Sequence, residues 1–204
     1  TMWVGPDGRE DPKTYLTPED ILAQSAAHPP RNGTAGGAEG MRKNVREALL
    51  DSIDAHLLAD VDVGLFLSAG RDSATLLALA SERVSDLRCV TLGFREFEGT
   101  ENDEVPLART LAQRYGAQHE VVWISRNDFA GAHDALFDAM DQPSIDGVNS
   151  FFVSRAAAQS GLKVALSGLG GDELFGGYPS FNQIPPLVGY VSSIPAYKSI
   201  GRGF

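Results

Sequence analysis

The sequence predicts an α/β protein in which a mostly parallel sheet is flanked by helices on both faces. Short apolar runs rich in β-branched residues alternate along the chain with segments of helical periodicity, which is typical of βα units. Continuous apolar strands of this kind favour burial on both faces of the sheet. In such sheets ligands bind beyond the carboxyl ends of the strands, so the loops that follow the strands are the places to look for a site.

Composition and charge exclude several classes of partner. The chain has 204 residues, with 17 basic and 27 acidic side chains and a formal net charge of −10. Bulk charge of this sign disfavours binding to nucleic acid or to an anionic membrane surface. No apolar run approaches the roughly 20 residues of a membrane span, and no secretory signal is recognisable. The lone cysteine, Cys89, offers neither a disulfide nor a zinc cluster, so a cytoplasmic location is expected.

The first 40 residues are expected to form a separate N-terminal segment. Trp3 and Val4 precede the sequence GPDG, which is typical of a strand end followed by a turn. Thr17 is a suitable N-cap for a short helix that runs to about Ala27, with Pro18 at its first position. Residues 31–40 are rich in glycine and small side chains, which predicts a flexible loop or linker.

The main domain is expected at residues 41–185, followed by a short C-terminal tail at 186–204. An amphipathic helix is predicted from Met41, because apolar residues recur every four positions as far as Leu57. The elements predicted after it are, in chain order, a strand at 61–67, a helix at 74–80, a strand at 87–94, a helix at 104–115, a strand at 119–124, helices at 128–140 and 149–159, and a strand at 162–166.

The first candidate loop follows the strand that ends at Leu67. It reads Ser68-Ala69-Gly70-Arg71-Asp72-Ser73 and leads into a helix. Small residues permit a tight turn, and the free amide groups at the start of the helix favour an anion. Asp72 would repel a phosphate unless a cation lies between them, which indicates Mg²⁺ and a nucleotide. A plain strand-to-helix turn, capped by Asp72 or Ser73, explains this hexapeptide equally well.

A second loop of the same character follows the strand that ends at Leu166. It begins with the sequence SGLGGDE, in which small residues are again followed by acids. Because Asp72 and Asp172 both follow strand ends, one parallel sheet would bring the two carboxylates near a shared Mg²⁺ and pyrophosphate. Gly176 and Gly177 are expected to end the short helical turn that contains Asp172. Together the two loops favour a nucleotide site over a plain turn.

Several motifs resemble a known family. SAGRDS resembles the SGGxDS pyrophosphate loop of the N-type ATP pyrophosphatases, and LSGLGGDELFGGYPSF resembles the SGxGxDELFGGYP segment of the glutamine-dependent asparagine synthetases. The segments ADVDVGLFLS, TLGF, NDEVPLARTLAQRYGAQHE and DQP before FFVSR follow in the order that the family has them. The resemblance covers residues 41–181 and implies a Rossmann-like ATP pyrophosphatase fold. It also implies that residues 1–40 are the exit from a glutaminase domain that this chain lacks, and that the chain is cut short at its C-terminus.

The family resemblance implies an activity and a set of site residues. Members activate a carboxylate as an acyl-adenylate with release of pyrophosphate, and ammonia then displaces AMP to give an amide. The expected cofactors and partners are therefore ATP, Mg²⁺, a carboxylate with aspartate as the default, and ammonia from a glutaminase domain. The residues carried over are Ser68, Gly70, Asp72 and Ser73 for the β- and γ-phosphates, the catalytic pair Asp72 and Asp172 for Mg²⁺, and Leu67, Leu92 or its neighbour Gly93, Ser167 and Gly168 for adenosine.

The chain departs from the family at four places. Ala69 replaces the first glycine of the SGG pair, and the segment SIDGVN lacks the Thr and Arg pattern associated with aspartate binding. Leu169 stands where asparagine-forming members have a glutamate that assists attack by the amine, and leucine cannot take a proton. Lys198 matches poorly the family's lysine for the α-phosphate and is expected to be a solvated side chain. The motifs therefore favour amide formation in general over asparagine as the specific product.

Other interpretations follow from the same residues. The domain would be a nucleotide-binding remnant without turnover, or it would adenylate another carboxylate to form an amide or ring in a natural-product or cell-surface precursor. The sequence has no GxxxxGK[ST] or GxGxxG pattern and no GxSxG around Ser68, which disfavours kinase-like, dinucleotide-binding and serine-hydrolase activities. We expect His119 and His133 at the surface or a strand edge, Cys89 in the core, and Asp103-Glu104 as favourable charge at a helix N-terminus.

Overall fold

A computed structural model describes residues 4–6, 8–9, 11, 13–14, 17–27, 37–142, 144 and 146–192. The chain divides into two compact units, Thr1–Leu49 and Leu50–Phe204. In the first unit, strands β1 (Val4–Gly5) and β2 (Gly8–Arg9) pair antiparallel, as the predicted turn between them requires. Helix α1 (Pro18–Ala27) has the predicted cap, because the Thr17 hydroxyl accepts the amide of Asp20 and donates to its carboxylate. Trp3 and the linker residues 28–36 lie outside the described residues.

Helix α2 (Gly37–His56) begins earlier than the sequence predicts. Residues 37–40 are helical, although their glycines predicted a linker. Glycine costs little in the first turn, and Glu39 there interacts favourably with the helix dipole and pairs with Arg42. Of the predicted apolar stripe, Ile53 is buried whereas Met41 is exposed.

The second unit contains a four-stranded parallel sheet. The strands are β3 (Val63–Phe66), β4 (Arg88–Phe94), β5 (Gln118–Ile124) and β6 (Val164–Leu166), in the spatial order β5-β4-β3-β6. The chain therefore builds outward from β3 to β5 and then returns to place β6 on the other side of β3. The direction of winding reverses between β3 and β6, and such a reversal opens a crevice at the carboxyl ends of the two strands.

Helices connect the strands and continue beyond the last one. They are α3 (Arg71–Ala80), a 3₁₀ turn (Arg95–Phe97), α4 (Val105–Arg114), α5 (Arg126–Gly131), α6 (His133–Ala139), α7 (Gly147–Gln159), α8 (Gly171–Phe175) and α9 (Ser180–Ser192). Since crossovers are right-handed, α3 and α4 lie on one face of the sheet and α7 on the other. No described helix is long and apolar enough to cross a membrane.

The core confirms a sheet covered on both faces. Ala156 and Ala157 of α7 pack with Leu162 against Val90 in the middle of β4. Cys89, whose side chain points to the opposite face, is 1% exposed. Burial raises the pKa of its thiol to about 12, so it is the predicted core residue.

Two elements differ from their predicted bounds for physical reasons. Helix α3 begins at Arg71 rather than at residue 74, because Gly70 is its N-cap and the loop motif supplies its first turn. The helix predicted at 128–140 is two helices that meet at the buried Ala132. Helix α9 was not predicted from the sequence patterns; it runs from Ser180 to Ser192 and so extends past residue 185, the expected end of the main domain. Lys198 lies outside the described residues.

Candidate functional site

The loop after β3 holds the N-terminus of α3 open toward a pocket. The amide of Leu67 donates to the carbonyl of Val90 at 2.9 Å, the last such bond before the chain leaves the sheet. Gly70 then caps α3 in an extended conformation and has no side chain to bind the first amides of the helix. Helix α3 has ten residues, so its N-terminal amides and dipole favour an anion at this end.

Hydrogen bonds of two serines, Ser68 and Ser73, stabilise the conformation of this loop. The Ser73 hydroxyl is buried and lies 2.9 Å from the Ser68 hydroxyl, and it accepts the amide of Ser68 at 3.1 Å. The Ser68 hydroxyl in turn accepts the amide of Gly70 at 3.1 Å. Ser73 therefore fixes the loop whether or not it also binds a ligand.

The loop after β6 turns back through glycines. Gly170 has a φ of 94° and precedes the five-residue helix α8, which holds Asp172 in its first turn. Gly176 has a φ of 67° and is the C-cap, and the amide of Gly177 donates to the carbonyl of Asp172 at 2.9 Å. The predicted glycine stop is confirmed, since residues other than glycine rarely adopt such φ values.

The two loops touch each other at these glycines. A Cβ atom at Gly168 would lie 3.0 Å from Cβ of Asp72 and 3.2 Å from the amide nitrogen of Ser73. A Cβ at Gly171 would overlap with the Asp72 carboxylate, and one at Gly177 would overlap with that of Asp172. Asp72 is thus packed against the residue that precedes Asp172. The sheet brings the two half-buried carboxylates to one place, as the strand-end argument predicts.

A single cavity of about 900 Å³ lies over these loops, a size typical of small-molecule sites. Every residue that the sequence assigned to nucleotide or metal binding lines it: Leu67, Ser68, Gly70, Asp72, Ser73, Leu92, Ser167, Gly168 and Asp172. The departure Leu169 also lines the cavity, with 84% of its surface exposed.

The cavity includes residues that sequence reasoning missed. Phe94 is the last residue of β4 and Phe97 lies in the 3₁₀ turn after it, with their ring centroids 6.1 Å apart. Asn149 and Ser154 come from α7. Phe94 is the last residue of a predicted strand. Because ligands bind at the carboxyl ends of parallel strands, its position could have identified it as a candidate site residue. Nothing in the local sequence marks Asn149, because its position depends on how α7 crosses the sheet.

Acidic side chains dominate the charge around the cavity. Glu173 accepts a hydrogen bond from the Tyr178 hydroxyl at 2.8 Å, which lowers the pKa of the Glu173 carboxyl and raises that of Tyr178. Asp103 accepts the amides of Gly99 and Val105 at 2.9 and 3.0 Å. It therefore stabilises the start of α4, which agrees with its predicted role at a helix N-terminus.

The donor set agrees with a magnesium ion that is bound together with phosphate. Within the described ranges, no group of three or more His, Cys, Asp or Glu side chains is placed to hold a metal by itself. Mg²⁺ usually takes only one or two protein carboxylates and completes its shell with phosphate oxygens and water. Asp72 and Asp172 beside the N-terminus of α3 fit that pattern.

Comparison with known proteins identifies the family. The asparagine synthase family profile matches residues 44–202. A putative glutamine-hydrolysing asparagine synthetase of Mycobacterium tuberculosis is 40% identical over 68% of this chain and 21% of its own length. Asparagine synthetase 1 of Bacillus subtilis is 34% identical over 69% of this chain and 22% of its own length. The amidase chyE of Penicillium rubens is 28% identical over 86% of this chain and 27% of its own length. The chain thus spans about a fifth to a quarter of these relatives, and it belongs to the asparagine synthase family.

Proposed function

We propose that this chain is the adenylating part of an amide-forming ligase, which uses ATP and Mg²⁺ to activate a carboxylate. The observation that supports this most is the meeting of two loops, one from each side of the winding reversal, in one cavity that contains Asp72 and Asp172. A nucleoside triphosphate requires donors for its phosphates and ligands for its cation. Here the N-terminus of α3, which is held by the serine hydrogen bonds, supplies the donors, and the two carboxylates supply the ligands.

In the proposed reaction, the substrate carboxylate oxygen attacks the α-phosphorus of ATP. The bond from that phosphorus to the oxygen bridging to the β-phosphate breaks, and pyrophosphate leaves. An amine nitrogen then attacks the acyl carbon, AMP leaves with the electron pair of the broken C–O bond, and the nitrogen loses a proton to give an amide. The barrier falls in the first step mainly because developing pyrophosphate charge is stabilised.

The protein's own groups have distinct parts in this scheme. The N-terminal amides of α3, aligned by the Ser68–Ser73 contact, bind the β- and γ-phosphates. Asp72 and Asp172 hold Mg²⁺, which neutralises phosphate charge when bound. Leu67, Leu92 and the Ser167-Gly168 turn would contact adenosine, since all of them line the same cavity as the phosphate loop.

Aspartate is the default carboxylate, and ammonia released from glutamine is the default amine. Two of the relatives described above are named glutamine-hydrolysing asparagine synthetases, which supports both choices. We therefore propose that a glutaminase domain supplies the ammonia. A cytoplasmic location suits this activity, because the reaction consumes ATP.

A second candidate is amide or ring formation on a different carboxylate. Leu169 presents an exposed apolar side chain to the cavity where a glutamate would assist attack by ammonia. An apolar group there suits a larger amine nucleophile, and a relative that matches most of this chain is named an amidase. Leu169→Glu is expected to raise amide formation from free ammonia by about tenfold or more, since a positioned acid–base group contributes 10²–10⁴-fold.

The decisive experiment is carboxylate-dependent exchange of labelled pyrophosphate into ATP, with aspartate and with a panel of other carboxylates. Exchange with aspartate and an asparagine product supports the default substrates, whereas exchange with another acid supports the second candidate. Binding of MgATP with no exchange for any acid would indicate a nucleotide-binding domain without turnover. Failure to bind MgATP at all would refute the proposal.

A further inference from the structure

Three hydrogen-bonded groups form a chain across the sheet that ends at the phosphate loop. Nε2 of His119 lies 2.7 Å from Oγ1 of Thr91, and that hydroxyl lies 2.5 Å from the carbonyl oxygen of Leu67. His119 is on β5, Thr91 is on the neighbouring strand β4, and Leu67 directly follows β3 on the other side of β4. The register of β4 and β5 places the side chains of His119 and Thr91 on the same face of the sheet.

The chemistry of the groups fixes the direction of this chain. The Leu67 carbonyl can only accept, so the single hydroxyl proton of Thr91 points toward it. The Thr91 oxygen then accepts from the ring, and Nε2 of His119 must be the nitrogen that bears hydrogen. Burial, with a contribution from Arg109, lowers the pKa of His119, so the ring is neutral at pH 7 and has only one N–H to donate.

His119 is not in contact with the cavity of the candidate site. Thr91 and Leu67 line that cavity, whereas His119 borders a separate, smaller one beside Gln118 and Glu120. The hydrogen bond to Thr91 is thus a direct link from His119 to a residue that lines the cavity.

The hydrogen bonds hold one peptide group at both ends. The carbonyl of Leu67 and the amide of Ser68 belong to the same rigid plane. Thr91 binds the carbonyl, and the Ser73 hydroxyl accepts the amide at 3.1 Å. The orientation of this plane sets the direction in which the backbone leaves β3 and enters the loop.

We propose that His119 is a positioning residue for the phosphate-binding loop, acting through Thr91 on the Leu67–Ser68 peptide. The inference rests on the proposed function, because it treats the loop as an ATP site. It assigns a part in nucleotide binding to a histidine of the edge strand β5.

The hydrogen-bond chain itself is tested by nitrogen NMR of ¹⁵N-histidine-labelled protein. The shifts of His119 are expected to show hydrogen on Nε2 at pH 7 in the wild-type chain. Hydrogen on Nδ1 would overturn the proposal, because Thr91 would then have to donate to the ring and could not bind the Leu67 carbonyl. This readout does not depend on ATP binding.

Coupling to the site is tested by the dissociation constant of MgATP in a set of variants. Thr91→Val is expected to weaken binding about tenfold, the effect of one lost hydrogen bond. His119→Leu is expected to weaken it about 3- to 10-fold, with recovery to within about twofold of wild type in His119→Gln, which restores an N–H donor. His119→Leu should add no further loss in the Thr91→Val background, because the two residues act as one path.

The controls separate this path from general destabilisation. His133→Leu makes the same change at an exposed histidine of α6 and is expected to leave MgATP affinity unchanged. Thermal unfolding of each variant confirms that the binding data come from folded protein. Wild-type affinity in His119→Leu, no recovery in His119→Gln, or fully additive losses in the double variant would each overturn the positioning role. A wild-type chain that binds no MgATP would instead refute the proposed function, and the NMR result would still decide the hydrogen-bond chain.

Discussion

At the scale of single residues, Asp72 and Asp172 are expected to act together on one metal–nucleotide complex. Replacing either with alanine removes a carboxylate from the phosphate site and should lower the affinity for MgATP by about 100-fold or more, as loss of a single electrostatic group at such a site does. Isothermal titration with MgATP measures the effect. Asp138→Ala, at an exposed position on α6, is the matched control. Wild-type affinity in either site variant would contradict the shared-metal arrangement.

The sequence identified the two carboxylates of the site and several residues that line the cavity, but not the contacts that hold the loops together. Asp72 and Asp172 were found because each follows an apolar strand and a run of small residues, so the signal is local. The contact of Asp72 with Gly171, and the bond between Thr91 and His119, depend on the register of neighbouring strands. Register arises from tertiary pairing of distant segments, and no local pattern in this chain encodes it.

At the scale of elements, the glycines where the two loops meet are expected to matter for binding more than for folding. The three atoms nearest to a Cβ at Gly171 all belong to the Asp72 carboxyl group, which can rotate away. Gly171→Ala should therefore lower MgATP affinity by about tenfold while leaving the midpoint of thermal unfolding within about 2 °C of wild type. Titration and thermal unfolding test both parts.

The control for that substitution is Gly131→Ala at the end of α5. A Cβ there meets no atom within 4 Å, so affinity should be unchanged. A large loss of stability in Gly171→Ala, or equal binding by Gly171→Ala and wild type, would show that the Asp72 carboxylate is not held by this contact.

The start of α5 predicts a pH dependence of stability. The Ser125 side chain and amide donate to the Asp128 carboxylate, which lowers the pKa of Asp128 below its ordinary value of 3.8. A group whose pKa is lower when folded stabilises the protein above its unfolded pKa and loses that contribution as pH falls through the folded pKa. Wild-type protein should therefore lose stability more steeply than Asp128→Ala as pH falls below about 4.

Thermal unfolding midpoints between pH 6 and pH 3 test this prediction. Asp134→Ala, a fully exposed carboxylate in the first turn of α6, is the comparison and should follow the wild-type pH curve more closely. Parallel curves for wild type and Asp128→Ala would indicate that the capping box adds nothing to stability.

Element types were predictable from periodicity, whereas several element ends were not. The strands were found because apolar, β-branched runs are strong signals. The break at Ala132 was not, because the Ser125 and Asp128 capping box starts a separate short helix before the apolar pattern ends. The first turn of α3 was assigned to the loop because its residues, Arg71 to Ser73, have no apolar periodicity and become helical through the Gly70 cap.

At the scale of the whole molecule, the net charge of −10 predicts that ATP binds only together with its metal. Free ATP is an anion that meets acidic side chains around the cavity, whereas MgATP has part of its charge neutralised. MgATP at about 100 times its dissociation constant should stabilise the fold by about 2.7 kcal/mol, or raise the unfolding midpoint by roughly 5–10 °C. ATP with EDTA should give little shift.

Differential scanning fluorimetry with ATP, Mg²⁺ and both together measures these shifts. Mg²⁺ alone should have little effect, because the described part of the chain has no side-chain cluster that holds a metal without phosphate. Asp72→Ala should abolish the shift given by MgATP. An equal shift with ATP in EDTA would contradict the role assigned to the metal.

The position of β6 has a consequence for how the protein acquires its activity during synthesis. Strand β3 can pair with β4 as soon as both strands have been synthesised. Its other edge pairs with β6, where Val164 lies opposite Val63, and β6 is synthesised roughly a hundred residues later. A nascent chain that has not yet emerged from the ribosome as far as α8 thus has only one of the two carboxylates and lacks the cavity residues that follow β6. If the chain binds a nucleotide as proposed, binding is expected only after the sheet has been completed.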